Sequence, residues 1–130
     1  MFTINQIKEA HSKVKSGADF PTYVQDISKL GITGYETHVT DSHAQFFGKE
    51  GYSIKSEAKY PVLEIADKSN SAQFQKDLKA HQQGKTDYLI FCRDCATSGI
   101  EKWVVDIKKM TCTYYDKAGI EMLEETIPTR

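Results

Sequence analysis

No apolar run in this chain approaches the roughly 18–20 residues that a membrane-spanning helix needs. Charge of either sign is also not in excess: 17 basic residues face 18 acidic ones, a net charge of −1. That balance provides no global attraction to nucleic acid or to an anionic membrane surface. Cysteine is scarce, and its count of three is odd, so a secreted disulfide framework is excluded and reduced thiols are the expectation. A glycine-rich phosphate loop, a serine-centred nucleophile elbow and a His-Glu-x-x-His metal motif are all missing. The start, MFTINQIKEAH, has no apolar signal-peptide core. These absences lead to the expectation of a soluble, cytoplasmic protein with no membrane insertion, no nucleic-acid partner and no cofactor.

With 130 residues, the chain is long enough to bury roughly 65–70% of its unfolded surface around one core, so residues 1–130 read as a single domain. It needs no metal or disulfide to fold. Thr3 with Gln6 three residues on forms a capping-box pattern, and Phe2 is placed to staple against Ile7. Apolar positions Ile4, Ile7, Ala10 and Val14 then recur at helical spacing up to Gly17, the expected terminator. A second helix follows from Phe20, with Pro21 in its first turn, Tyr23, Val24, Ile27 and Leu30 on one face, and Gly31 after it.

From Ile32 the period falls to two. Tyr35, Thr37 and Val39 alternate with Glu36, His38 and Thr40, and after Asp41 and Ser42 the alternation resumes through Phe46 and Phe47, which predicts a hairpin. His38 and His43 flank its turn. Tyr52 to Lys55 reads as a third short strand, and residues 62–66 as another strand after Pro61. Residues 72–83 form a helix through Phe74 and Leu78.

Cys92 and Cys95 sit in a segment readable either as a strand plus zinc knuckle or as a helix. On a helix, Tyr88, Leu89, Phe91, Cys92, Cys95 and Ala96 share one face, with Arg93, Asp94, Thr97 and Ser98 opposite, Thr86 as N-cap and Gly99 as terminator. The helical reading places Cys92 more than a turn inside, away from the dipole and free N–H groups that acidify a redox thiol. The two thiols are candidate redox groups, with Arg93 beside them. Cys92, Cys95, Cys112, His38 and His43 are the candidate metal ligands, although no second compact ligand pair follows the first. Burial as apolar side chains is the expectation weighed above both. Past Gly99 the period is two again, in three stretches around Trp103, Tyr114 and Met122, an antiparallel meander.

Phe91-Cys92-Arg93-Asp94-Cys95-Ala96, then Gly99-Ile100-Glu101-Lys102-Trp103-Val104-Val105-Asp106, then Met110-Thr111-Cys112-Thr113-Tyr114-Tyr115-Asp116 and Gly119 resemble the YbcV-like family of small bacterial and prophage proteins. The resemblance implies the label "phage envelope protein" and no catalytic residues.

The fold expected is α+β: an antiparallel sheet made of a central hairpin and a C-terminal three-stranded meander, packed by an N-terminal helical pair and two further helices. Three functional readings stand beside it. The first is a non-enzymatic accessory or interaction module, with an unknown protein partner or self-association, touching through Tyr35, Phe47, Tyr60 or Tyr115. The second is a thiol-based redox or metal-binding protein using Cys92 and Cys95. The third is a small-ligand-binding protein with a cleft between sheet and helices, to which His38, His43 or tyrosines contribute polar groups. Glu36 and Glu121 are distant carboxylates that folding could bring together for acid–base work.

Overall fold

The computed structural model describes residues 2–15 and 17–128. Helix α1 (Ile4–His11) starts at the capping box: the Thr3 hydroxyl accepts the Gln6 backbone N–H at 3.2 Å, and the Gln6 side-chain oxygen accepts the Thr3 N–H at 2.9 Å. It stops at His11, well before Gly17, because the chain tightens into three-residue bonds from Lys13 to the Ala10 carbonyl and from Val14 to the His11 carbonyl. Gly17 instead opens a short 3-10 turn, Gly17–Asp19, that leads into α2 (Phe20–Lys29).

Six strands form one antiparallel sheet: β1 (Gly34–His38), β2 (Ala44–Phe47), β3 (Ser53–Lys55), β4 (Ile100–Asp106), β5 (Thr111–Asp116) and β6 (Glu121–Thr126). Their order is β3-β2-β1-β4-β5-β6, so the hairpin and the meander meet at the β1–β4 seam, with Tyr35 opposite Val105 and Thr37 opposite Trp103. Register and the alternation of side chains then divide the sheet into two faces. One carries Tyr35, Thr37, Ala44, Phe46, Trp103, Val105, Cys112 and Tyr114, all buried. The other carries Glu36, His38, Gln45, Lys102 and Tyr115, with Lys102 paired to Glu36 at 3.2 Å.

The helices pack on the first face. Tyr23 of α2 meets Tyr35 edge-on, and Phe74 of α3 (Ser71–Gln82) lies 4.8 Å from the Tyr114 ring. Tyr88 and Phe91 of α4 (Tyr88–Thr97) both contact Trp103. Phe74 is wholly buried, which contributes roughly 2–3 kcal/mol.

Further local expectations fail, among them Leu89, placed on the buried face of α4 but 37% exposed. The N-cap of α4 is Asp87, whose carboxylate accepts the Ile90 N–H at 2.8 Å, and Thr86 lies one residue outside. Ser98, assigned to the polar face, is buried at 1%, as α4 ends there against the loop before α3. Residues 62–66 are irregular rather than a strand, since their backbone bonds run to separate elements: Leu63 N–H to the Thr40 carbonyl at 2.7 Å and Ala66 N–H to the Ala96 carbonyl at 2.9 Å. Gly99 does end α4, at φ +83°, where a Cβ would stand 2.8 Å from Ser69 Cα.

Candidate functional site

The large side chains of the inner sheet face and the helices above it pack ring against ring but leave space between them. They surround a cavity of about 490 Å³ walled by eight phenylalanine, tyrosine and tryptophan rings, among them Tyr23, Tyr35, Phe46, Tyr88, Trp103 and Tyr114. The volume lies inside the roughly 300–1,000 Å³ range of small-molecule sites.

The way in is marked by a second depression of about 380 Å³. It shares His11, Val14, Lys59, His81 and Tyr88 with the cavity, so these five residues are the border, or neck, where the two spaces adjoin. Four chain segments supply them: the end of α1, the loop after β3, the end of α3 and the start of α4. Each is held by local bonds. Lys59 donates its backbone N–H to the Asp41 carbonyl at 2.7 Å. The Tyr60 hydroxyl donates to the Val39 carbonyl. Tyr88 shares a hydrogen bond with Ser42, which is fully buried and holds a left-handed backbone at φ +63°. For serine that conformation costs about 1–2 kcal/mol, which the Tyr88 bond and the tight hairpin turn offset.

Electrostatically the neck is mostly neutral. His11 stands edge-on between the Tyr23 and Tyr88 rings, and burial, with help from the charge of Lys59, lowers its pKa to about 4. Burial likewise lowers the pKa of His81, against the opposing pull of the Thr86 carbonyl and Asp87. The His81 ring stacks on Phe91 and faces the Thr86 carbonyl through Nδ1 at 3.1 Å. The Thr86 hydroxyl lies 3.3 Å from the same nitrogen, so Thr86 holds the ring through Nδ1 in either tautomer. Burial raises the pKa of Tyr23, Tyr35, Tyr88 and Tyr114, so the cavity's phenols stay protonated and polar without charge.

The redox candidates lie elsewhere in this packing. Cys92 and Cys95 are 0% exposed and Cys112 is 2% exposed, and all three are free thiols. Burial pushes each of them up, Cys112 to about 12; the Tyr60 and Tyr88 hydroxyls beside Cys92 offset only part of its rise. Arg93 is exposed on the other side of α4 and does not serve them. Of the candidate metal set, Cys112 projects from the inner face of the sheet, while strand alternation puts His38 on the outer face. Among the described residues no group of three or more His, Cys, Asp or Glu side chains is arranged to hold a metal ion.

His38 and His43 do come together, with rings stacked at 4.4 Å, outside the cavity. Asp41 fixes the second of them, accepting from its Nδ1 at 2.5 Å and from its backbone N–H at 3.0 Å. Although burial opposes it, these two bonds hold the Asp41 carboxyl below the usual range. Glu36 and Glu121 stay apart, on strands separated by β4 and β5. The four aromatic residues expected at a contact surface also divide: Tyr35 is core and lines the cavity, while Phe47, Tyr60 and Tyr115 are half-buried. Sequence reasoning passed over His11, Lys59 and Trp103 as site residues. Lys59 lies in an unpatterned loop, and the other two carry only an ordinary core-facing signal.

Residues 8–126 match the model of a family described as protein of unknown function, DUF1398. The chain belongs to this family. Membership at that level brings no site residues with it, and the resemblance to YbcV-like proteins, with its phage label, is a finer reading than the match carries. No curated protein matches the chain. Among the described residues no helix is long and apolar enough to cross a membrane.

Proposed function

We propose that this DUF1398 protein binds a small, largely apolar molecule in the cavity between its sheet and its helices. One observation carries the reading: about 490 Å³ of aromatic-walled space with a neck leading to it, in a domain whose rings could otherwise have packed together. Binding rather than thiol chemistry follows from the cysteines, whose burial keeps them as unreactive S–H groups. An accessory module of phage or bacterial origin has less support. The outer sheet face that would serve such a contact alternates ion-paired and polar side chains such as Glu36, Lys102 and Gln45, whereas the large aromatics converge inward.

The test is a fluorescence titration with N-phenyl-1-naphthylamine, a neutral dye that brightens in apolar surroundings, against the wild type and Val14→Phe. Val14 lines both the cavity and its neck and is only half-buried, so the larger ring fills space without breaking core. Saturable binding at one site that Val14→Phe weakens at least about tenfold, about 1.4 kcal/mol, supports the reading. Absent binding, or binding indifferent to Val14→Phe, removes it.

A further inference from the structure

Resting on that reading, the geometry points to the ligand's class: we infer that the cavity takes an aromatic molecule bearing one anionic group, with the rings inside and the anion held at the neck by Lys59.

Among the described residues Lys59 has no ion-pair partner. The ion pairs among the described residues join His43 to Asp41, Lys102 to Glu36 and Lys117 to Asp67, and none includes Lys59. Its ammonium lies over the Tyr88 ring, 5.8 Å from the centroid, at the rim shared by the cavity and the outer depression. The two carboxylates that line these spaces are engaged elsewhere. Asp87 caps α4 through the Ile90 N–H, and Glu125 accepts from the Gln82 amide at 3.0 Å. Although Lys59 is exposed, partial desolvation at the rim, opposed by Cys92 and helped by repulsion from Lys8, draws its pKa below the ordinary lysine range. Lys15 adds a second positive charge to the rim of the outer depression.

The rest of the neck suits the same ligand. Burial disfavours the charged form of both His11 and His81, so neither competes with Lys59 for the anion. Walls of Tyr35, Phe46, Trp103 and Tyr114 offer faces and edges to a planar ring system, where offset and edge-on contacts are favourable. The backbone of Lys59 is held by its bond to the Asp41 carbonyl, which keeps the root of the side chain at the rim. A carboxylate, sulfonate or similar group on a planar aromatic body satisfies all of these features at once.

Two dyes separate the parts of the inference: 8-anilinonaphthalene-1-sulfonate and N-phenyl-1-naphthylamine, the same ring system without the sulfonate. The wild type is expected to bind the sulfonate roughly five- to tenfold more tightly than its neutral parent, the scale of one charge-assisted contact at a partly wet rim. Lys59→Met should erase that preference, and Lys59→Arg should retain it. The preference in the unaltered protein should shrink as salt is raised, a readout that needs no variant to fold. Equal binding of the two dyes by the wild type, or a preference that survives in Lys59→Met, overturns the role of Lys59 while the cavity reading stands. If neither dye binds, or if both bind Val14→Phe as well as wild type, the cavity reading falls and takes this inference with it.

Discussion

Acidification tests the packing around the neck through a single side chain. An unfolded imidazole titrates near 6.5, whereas His11 in the folded protein titrates at about 4, because its site between Tyr23 and Tyr88 resists the charged form. Between those values the unfolded chain binds more protons than the folded one, so stability falls as pH falls. The His11 contribution is intact above about pH 6.5 and is lost progressively as pH approaches 4. Each pH unit in that window is worth at most about 1.4 kcal/mol. Because His11 is only half-buried, a discounted loss on the order of 1–2 kcal/mol is expected between about pH 7.5 and about pH 5. Urea unfolding followed by the fluorescence of Trp103, the only tryptophan, measures it directly. In His11→Phe the drop over that range should shrink by that amount. Part of what remains belongs to His38 and His81, which burial shifts in the same direction. Equal pH dependence in wild type and variant would show that the neck is wetter around His11 than its two ring contacts require.

Further outcomes follow from individual contacts. Gly99→Ala should lose about 2–4 kcal/mol in thermal or urea unfolding, since its Cβ would meet Ser69 Cα at 2.8 Å and the Lys68 carbonyl oxygen at 2.9 Å on a left-handed backbone. Gly119→Ala, at φ +80° with no atom within 4 Å of the added Cβ, should lose only about 1 kcal/mol, and equal losses would refute the clash. Tyr88→Phe strips the buried Ser42 hydroxyl of its partner and should cost about 1–3 kcal/mol; a neutral result would mean that the hydrogen bond does not hold the turn. In native thiol titration the three cysteines should remain unreactive until denaturant is added, and rapid labelling of any one would contradict their burial.

Much of the fold was legible because its signals are local. Thr3 with Gln6, Pro21 in the first turn of α2, and the period-two runs around Tyr35 and Trp103 each declare their element within a few residues. The expectation failed where competition between neighbours decides the outcome. Asp87 displaces Thr86 as cap because its carboxylate reaches the Ile90 N–H, and the apolar residues 62–66 form no strand because two different elements claim their backbone bonds. The stacked His38 and His43 were legible as neighbours because a hairpin turn joins them. A cleft between sheet and helices was among the expectations, but its size and most of its lining were not legible. Its walls come from α1, α2, α3, α4, the sheet and residues 126–128, and alternation marks Tyr35, Phe46 and Trp103 as inward-facing without saying whether the space between them is filled. Lys59 gave no signal in an irregular loop, since an exposed lysine becomes notable only when the folded chain gives it no ion-pair partner.

Trp103 provides the most direct measurement of ligand occupancy, because the single indole of the chain forms part of the cavity wall. In a ¹H–¹⁵N titration of the wild-type protein with 8-anilinonaphthalene-1-sulfonate, the indole N–H resonance should move saturably, with an endpoint of one dye per chain. The backbone signals of Val14 and Lys59 should move with it. A Trp103 resonance that stays in place while residues of the outer sheet face such as Gln45 or Tyr115 shift would contradict ligand binding in the cavity.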